Sequence, residues 1–394
     1  MAEIRFPDYF RFGTSTSAVQ IETAQGHDWE GFIARDQARF QQTTGHELLW
    51  ESDIDIIAGL APAYRMSLMW SKLQQSAFQP LDSGACRHYH GLLQGLRNKN
   101  VEIMMVIHHF SNPNWFAERG GWTARDSAVV WMDYVKRLVD EFGCYTRLWN
   151  TFNEPNLYVS MAYLAGQFPP QRTNLRLMWQ ALGNIREAHA EAYQYLHQVQ
   201  PDCRVGISHN AAVLESENLF GRLPAVLADW WYMKFLPDCF QLSDFFGMSY
   251  YARIGFDPFP ITWLESPHKI RSSGKAHDDM WEYHPDGLLA CLRRFHLRYR
   301  KPIMITENGV CTTNDDFRIQ AIKDYALIIH QAIKEGIDVR AYYHWSAWDN
   351  FEWHLGPSYR FGLYGYDHKS QVRVRKASAD HYAKLAYTHS IQIS

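Results

Sequence analysis

Short apolar runs alternate with amphipathic segments along most of the chain. Each apolar run has the length of a buried strand, and most of them end in polar residues. The segments between the runs repeat apolar residues at every third or fourth position, which is typical of helices that bury one face. The predicted strands are Phe10–Thr14, Ala63–Leu68, Val101–Ile107, Cys144–Phe152, Cys203–Ile207, Asp244–Met248, Lys301–Thr306 and Arg340–Trp345.

The amphipathic segments predict one helix between most pairs of strands. These helices are Trp50–Gly59, Arg87–Asn98, Ser127–Phe142, Leu175–Gln198, Gly287–Tyr299, Phe317–Glu335 and Ser378–Thr388. Regular alternation of strand and helix indicates a parallel sheet with right-handed crossovers. About eight such units predict an α/β fold, a (β/α)8 TIM barrel with short loops, formed by residues 1–394 as a single domain. An open doubly wound sheet is disfavoured, because no glycine-rich phosphate-binding turn follows the first strand.

Charge and cysteine usage exclude several classes of protein. The 39 basic and 42 acidic residues are well mixed, and the absence of a basic stripe argues against a nucleic-acid partner. No apolar run reaches the roughly 18 residues that span a bilayer. The six cysteines form no C-x-x-C pair, and the first residues lack the apolar region of a signal peptide. We therefore expect a reduced, cytoplasmic protein without a membrane span.

Two glutamates stand where predicted strands give way to polar residues. Glu154 follows the run that ends at Phe152, and Glu307 follows the run that ends at Thr306. Parallel barrel strands deliver their C-terminal residues to one rim, where barrel enzymes carry their sites. Two carboxylates at such a rim are the groups that cleave a glycosidic bond. The sequence therefore predicts a glycosidase site.

Other strand ends carry hydrogen-bonding or aromatic side chains, which suits a substrate rich in hydroxyl groups. These residues are Gln20, Arg65, His109, Asn153, Tyr251, Trp345 and Glu352. Taken singly, each also has a structural interpretation: Arg65 as a buried ion-pair partner, Asn153 as a helix cap and His109 as a core histidine. The adjacent His108 and His109 have no further histidine or carboxylate at ligand spacing, so no metal site is predicted.

In this order, the motifs resemble those of glycoside hydrolase family 1, the β-glucosidase and β-galactosidase family. The resemblance covers nearly the whole chain. It rests on Phe6–Gln20, Tyr64–Trp70, Thr151–Pro155 (Thr-Phe-Asn-Glu-Pro), Ile305–Gly309 (Ile-Thr-Glu-Asn-Gly), Trp345–Trp353 and Arg360–Leu363.

The resemblance implies a retaining mechanism without metal or cofactor. Glu154 would be the general acid/base and Glu307 the nucleophile, with Arg65 and Tyr251 supporting the nucleophile. The charge of Glu307 would raise the pKa of Glu154 and keep it protonated. The residues implied in sugar binding are Gln20, His109, Phe110, Asn153, Trp345, Glu352, Trp353 and Phe361.

The implied substrates are small carbohydrates with a terminal β-glycoside: glucosides first, galactosides and fucosides as plausible additions. The acidic Glu352 would repel a phosphate, so we expect unphosphorylated sugars. Two positions depart from the family pattern. Phe110 stands where many relatives have Trp and lacks its indole donor, and Ser249 stands where Asn is usual, near Glu307. Assembly into a homo-oligomer stays open.

Three other functions compete with this one. A transglycosidase would use the same carboxylates, with Trp281 or Trp263 as an acceptor platform, although either residue is as readily a loop anchor. A non-catalytic sugar-binding barrel is disfavoured because both glutamates are present. A metal-dependent isomerase would need a cluster of carboxylates and histidines that the sequence lacks.

Overall fold

Eight parallel strands close into a barrel, as the alternating pattern predicts. The computed structural model describes residues 2–22, 25–40, 43–255, 276–367 and 369–393, so the predicted platform residue Trp263 lies outside the described residues. The barrel strands, in spatial and chain order, are β2 (Arg11–Ser15), β3 (Ala63–Ser67), β4 (Glu102–His108), β5 (Leu148–Asn153), β6 (Arg204–Glu215), β7 (Phe245–Gly255), β8 (Ile303–Asn308) and β9 (Val339–Trp345). The (β/α)8 fold is confirmed.

In the described part of the chain, four short strands lie outside the barrel and form two antiparallel pairs. β1 (Ala2–Arg5) pairs with β12 (Ser390–Ile393), and β10 (Tyr364–Asp367) pairs with β11 (Val372–Arg375). The first pair joins the two ends of the described chain. The second follows the barrel's last strand, where Trp348 bridges to Tyr364.

Helices connect the barrel strands, and all seven predicted helices are present. The longer helices are His46–Leu60, Ser83–Asn98, Ser127–Phe142, Pro155–Tyr163, Leu175–Val199, Leu219–Trp230, Pro285–Tyr299, Asp315–Lys334 and Ala377–Thr388. The shorter ones are Ala18–Ile21, Trp70–Leu73, Asn114–Glu118 and Leu236–Asp238. Three-residue 3-10 turns form at Gly121–Thr123 and Gly143–Tyr145, and a π-helical turn forms at Trp231–Phe235. No helix in the described ranges is long and apolar enough to cross a membrane.

The structure corrects several predicted boundaries. The segment Gly143–Tyr145 is a helical turn and not the start of a strand, so β5 begins only at Leu148. The helix Pro155–Tyr163 was not predicted; it begins with proline, whose fixed φ suits the first helical position. The helix Leu219–Trp230 was not predicted either.

Strands β6 and β7 are longer than predicted and leave the barrel together. Their pairing continues to Glu215 and Gly255, so they form a two-stranded arm beyond the strand ends. The helix Leu219–Trp230 follows this arm and packs against β6. The arm therefore adds a wall on one side of the rim, beyond Glu154.

A layer of apolar side chains fills the N-terminal half of the barrel. This layer consists of Ala63, Met104, Leu148, Phe245, Met304, Ala341 and Tyr343. Gly13 belongs to the same level, and a Cβ atom there would lie 2.5 Å from the Tyr343 ring, so only glycine leaves room for that ring. The layer forms a packed floor, and polar side chains lie above it at the C-terminal ends of the strands.

Candidate active site

Glu154 and Glu307 lie in the same buried region at the C-terminal rim. Their exposed fractions are 3% and 4%. Glu154 directly follows β5 with a φ of 43°, a left-handed conformation that is rare for a residue with a side chain. Its backbone N–H donates to the carbonyl of Ser208 on the neighbouring strand at 2.9 Å. Backbone conformations of this kind persist where surrounding structure holds them, and they cluster at functional sites.

Both carboxylate oxygens of Glu307 accept hydrogen bonds. Arg65 Nη1 donates to Oε1 at 2.5 Å, and the Tyr251 hydroxyl donates to Oε2 at 2.8 Å. Arg65 has no exposed surface, so water does not screen its charge directly. The predicted neighbours of Glu307 are thus in direct contact with it, and they fix the orientation of its carboxylate plane.

Arg65 also orients the polar residues beside Glu307. Its Nη2 donates to Asn153 Oδ1 at 2.6 Å, and Asn153 Nδ2 therefore faces His109 Nε2 at 3.0 Å. Since Nε2 accepts this hydrogen bond, the proton of neutral His109 resides on Nδ1. Burial and the Arg65 charge hold the pKa of His109 well below its usual value, which is consistent with the neutral ring. The Nδ1–H group has no partner among the described residues.

Glu154 lies in surroundings that favour its protonated form. Burial is the largest cause and the charge of Glu307 the second, and together they raise the pKa of Glu154 to about 8. The polar side chains of Ser249 and Asn210 oppose this rise. The expected effect of Glu307 is confirmed, but desolvation outweighs it. At neutral pH Glu154 therefore carries a proton and can donate it.

Asn210 and Tyr232 belong to the surroundings of Glu154, and no motif in the sequence indicates this. The Tyr232 hydroxyl donates to Asn210 Oδ1 at 2.9 Å, which leaves the amide N–H of Asn210 for Glu154. Asn156 holds the backbone of Asn210 through a reciprocal pair of hydrogen bonds at 2.8 and 3.1 Å. Tyr232 comes from the π-helical turn, far from any strand end, so a search of strand ends does not find it.

Ser249 affects Glu154, although its position in the sequence predicted an effect near Glu307. Its backbone is paired with that of Glu307 in the β7–β8 ladder, so it lies near Glu307 as expected. Its hydroxyl nevertheless acts on Glu154, since it lowers the pKa of that residue. The substitution of serine for the usual asparagine thus bears on Glu154 as well.

Gln20 and Glu352 form a second polar cluster at the rim. Gln20 Nε2 donates to the carbonyl of Phe351 at 2.9 Å and lies 3.2 Å from Asn350 Oδ1 and 3.4 Å from Glu352 Oε2. Its Oε1 atom is buried and has no partner within the described ranges. Burial, followed by the charge of Glu307, raises the pKa of Glu352 to about 8. The predicted negative charge of Glu352 is therefore wrong near neutral pH, since the side chain is mostly protonated there.

Aromatic rings enclose these polar groups on two sides. On the His109 side, that ring lies 6.1 Å from Trp345 and 5.9 Å from Trp353, and Phe110 contacts Trp353 at 5.2 Å. All three of these aromatic residues are buried, and Phe110 has a positive φ of 63°.

On the Glu307 side, Phe361 lies 5.9 Å from Tyr251 and 6.0 Å from Trp281. Trp281 is partly exposed and packs against Tyr251 at 5.2 Å, between centroids. Asp278 accepts the Trp281 backbone N–H at 2.6 Å and the Cys311 N–H at 3.0 Å, so it ties the Trp281 loop to the end of β8. Trp281 is thus anchored beside the site and also presents part of its ring outward.

The remaining histidine of the predicted pair is a core residue. His108 Nε2 lies 3.2 Å from the indole nitrogen of Trp122 and 3.1 Å from Asn112 Oδ1. The ring is buried between Trp122, Phe152 and Tyr158. Across the part of the chain that the structure describes, no cluster of three or more His, Cys, Asp or Glu side chains has the arrangement of a metal site.

The arrangement offers a defined chemistry. A protonated carboxyl, that of Glu154, and a carboxylate paired with Arg65, that of Glu307, share a buried site. Around them lie groups able to bind hydroxyls, including His109 Nδ1–H and Gln20 Oε1, neither of which has a partner among the described residues. A proton donor and a fixed carboxylate are the two groups that glycosidic cleavage requires.

Comparison with known proteins leads to the same chemistry. The family model for glycosyl hydrolase family 1 matches residues 2–218 and 234–391. The β-glucosidase of Agrobacterium sp. (strain ATCC 21400) is 27% identical, over 97% of this chain and 95% of its own length. A galactolipid galactosyltransferase of Arabidopsis thaliana is 25% identical, over 89% of this chain and 58% of its own length.

Solved structures agree in fold with this chain. A β-glycosidase from Pyrococcus horikoshii superposes with a TM-score of 0.89 and 28% identity, over 100% of this chain and 97% of the other. A β-glucosidase from Thermotoga maritima in complex with deoxynojirimycin gives a TM-score of 0.87 and 25% identity, over 98% of this chain and 100% of that one. The family match spans nearly the whole barrel and both glutamate motifs, so the resemblance seen in the motifs is confirmed: the chain is a glycoside hydrolase and belongs to glycosyl hydrolase family 1.

Proposed function

We propose that the protein is a retaining, exo-acting β-glycosidase that hydrolyses terminal, unphosphorylated β-D-glycosides, β-glucosides above all. The observation that carries this proposal is that the two glutamates have different surroundings. Arg65 and Tyr251 each donate a hydrogen bond to one oxygen of Glu307, whereas burial and the charge of Glu307 raise the pKa of Glu154 to about 8. A carboxyl group that keeps its proton near neutral pH can act as the acid, and a carboxylate held in place beside it can act as the nucleophile.

In the first step Glu307 attacks the anomeric carbon while Glu154 gives its proton to the departing oxygen. The sugar becomes covalently bound to Glu307 and the aglycone leaves as an alcohol. The ester has no charge, so the pKa of Glu154 falls once its charged neighbour is gone. Glu154 then takes a proton from water as the water attacks the anomeric carbon, which frees Glu307 and releases the sugar with its original configuration.

Asn153 has a role in this scheme that follows from its contacts. Arg65 fixes the amide plane through Oδ1, and Nδ2 lies 3.0 Å from His109 Nε2. We assign the sugar 2-hydroxyl to Asn153, because a hydrogen bond there strengthens as positive charge develops on the ring. The His109 Nδ1–H and Gln20 Oε1 groups supply a further donor and a further acceptor for hydroxyls, and Trp345 supplies a flat ring face.

The preference for glucose is supported by the names of the relatives. The relatives from Agrobacterium and Acetivibrio thermocellus are named β-glucosidases. Glucose and galactose differ only at C4, and a side chain such as Gln20 or protonated Glu352 can bond either epimer. Phosphate exclusion rests on the buried, enclosed setting of Glu352, because a phosphate dianion desolvated there would lack a counter-charge from this side chain.

A panel of nitrophenyl β-glycosides tests the substrate assignment. The glucoside, galactoside, fucoside and 6-phosphoglucoside are compared by kcat/KM, and the glucoside is expected to be highest and the phosphorylated sugar lowest. A higher value for the 6-phosphoglucoside contradicts the proposal. The anomer formed first, observed by NMR, should be β; an α product would replace retention with inversion.

Transglycosylation is a second candidate that two observations favour. Trp281 is partly exposed beside Tyr251 and Phe361, on the Glu307 side of the site. One relative is named a galactolipid galactosyltransferase. With excess cellobiose or alkyl glucoside as acceptor, Trp281→Ala should lower the ratio of transfer to hydrolysis and leave aryl glucoside hydrolysis nearly intact. An unchanged ratio would remove Trp281 as an acceptor platform.

Two further properties stay predictions. We propose that residues 1–394 act as one catalytic domain and that the protein is cytoplasmic, in keeping with its six free thiols. Fractionation of the native source would test the location. Limited proteolysis would test the domain assignment, because one cooperative domain should yield no stable fragment with activity.

A further inference from the structure

The helix Leu219–Trp230 presents its large apolar side chains to solvent. Leu219, Phe220 and Leu223 are 70%, 77% and 67% exposed, and Val226, Leu227 and Trp230 are also exposed. The face that packs on the protein carries only small residues, Gly221, Ala225 and Ala228. This is the reverse of an ordinary surface helix, which turns its large apolar residues inward.

The exposed residues follow the spacing of a helix–helix seam. Leu219, Leu223, Val226 and Trp230 are separated by four, three and four positions, the interval at which a coiled coil repeats its buried residues. Phe220 and Leu227 lie seven positions apart and flank this seam. The spacing of the seam residues is the same in both directions, so the seams of two antiparallel copies can align.

The size and charge of this surface fit a protein partner. The six side chains present on the order of 700 Å² of apolar area, near the ~800 Å² that each partner gives to a standard interface. The charged residues within the helix, Arg222 and Asp229, are not part of the seam. Asp229 forms an ion pair with Arg294 at 2.5 Å. Interfaces share this distribution, with a core that is depleted of charge and rich in aromatic side chains.

The apolar surface continues beyond the helix. Trp179, 49% exposed, packs against Trp231 at 5.4 Å and Phe235 at 5.6 Å, and Trp230 stacks on Phe235. A contiguous apolar surface of this extent is uncommon on a monomeric protein. The helix also lies in a segment that the family model leaves unmatched, between 218 and 234.

We propose that the helix Leu219–Trp230 is the interface of a homodimer, in which it packs antiparallel against the same helix of a second copy across a two-fold axis. Leu223 and Val226 then lie nearest the axis, and Leu219 and Phe220 of each copy meet Trp230 of the other. A second copy is the occupant with a seam of matching spacing, and an isologous pair closes without leaving a free face. This proposal does not depend on the substrate assignment.

Sedimentation velocity over a dilution series tests the proposal. Wild-type protein should be dimeric at micromolar concentration, and Leu223→Glu should weaken dimerisation at least about 100-fold, because two charges would be buried at the axis. The matched control is Leu297→Glu, which places the same charge at a 74% exposed leucine on the helix Pro285–Tyr299 and should stay dimeric. Circular dichroism and thermal melts establish that both variants fold.

Cross-linking gives an independent measurement. Val226→Cys in a Cys144→Ser background should form an intermolecular disulfide under mild oxidation, since the two copies of residue 226 lie close to the axis, whereas Leu297→Cys should not. A wild type that is monomeric at high concentration overturns the proposal, as does a dimer that Leu223→Glu leaves intact. If the wild type is monomeric and binds phosphatidylcholine vesicles, the seam contacts a lipid surface instead, and the dimer proposal is overturned.

Discussion

Arg65 and Glu307 form an ion pair inside the barrel, with 2.5 Å between Nη1 and Oε1. The same guanidinium donates through Nη2 to Asn153, and it also contacts Ser15 and Ser208. One planar fork therefore sets the position of a carboxylate and of the amide beside it. A lysine has a single nitrogen and does not hold both groups in a fixed relation.

Arg65→Lys should lower kcat for an aryl β-glucoside by about 100-fold or more, because Glu307 and Asn153 lose their common anchor. The free energy of unfolding should be about 3 kcal/mol lower than in the wild type, because a buried network is disrupted. Steady-state kinetics and urea titration measure the two effects.

Arg373→Lys is the matched control for that variant. Arg373 is also buried and pairs with Asp53 at 2.6 Å, away from the two glutamates. It should lose stability and keep most of its kcat. A similar fall in kcat for both variants would assign the effect of Arg65 to folding alone.

Glu307→Gly should lower hydrolysis of aryl β-glucosides by about 10⁴-fold or more, because no covalent intermediate forms without the carboxylate. Added azide should enter the vacated space and yield the α-glycosyl azide, which NMR identifies. Activity near the wild-type level in this variant would remove Glu307 from the mechanism.

Glu154→Ala should affect substrates according to their leaving groups. Alkyl glucosides need a proton on the departing oxygen and should lose about 10² to 10⁴-fold in kcat/KM. Dinitrophenyl glucosides leave without protonation and should lose far less, and azide should give the β-glycosyl azide. Equal losses for both substrates would contradict the acid role of Glu154.

The pH dependence of kcat/KM should show a basic limb near pH 8. Glu154 acts in its protonated form, its pKa is raised to about 8, and activity is lost as pH rises through that value. Titration of Glu154 by carbon-13 NMR in Glu307→Gln should give a lower pKa, because the neighbouring charge is gone. A pKa unchanged by this substitution would leave burial as the sole cause of the rise.

Tyr232→Phe should move the basic limb to higher pH by roughly half to one unit. Without the hydroxyl, Asn210 is free to rotate, and Glu154 loses a hydrogen bond that favours its ionised form. Tyr134→Phe is the control, because Tyr134 is equally buried and its hydroxyl has no partner among the described residues. A loss of activity without a shifted limb would mean that Tyr232 serves folding only.

The sequence by itself determined the barrel and the two glutamates. Alternating strand and helix patterns are local, and parallel strands in a closed barrel bring their C-terminal residues to one rim. Glu154 and Glu307 could therefore be assigned to one site from short motifs, although 153 positions separate them (307 − 154). The motifs also gave Arg65 and Tyr251 as neighbours of Glu307, as the structure has them.

Only the tertiary structure decided two features: the electrostatics of the site and the outward orientation of the apolar side chains on the helix Leu219–Trp230. The protonated state of Glu352 and the high pKa of Glu154 arise mainly from burial, a property of the whole fold. Tyr232 reaches Asn210 only because a π-helical turn carries it there. For Leu219–Trp230, periodicity alone would turn the leucines inward; the close packing of Gly221, Ala225 and Ala228 against the protein turns them outward.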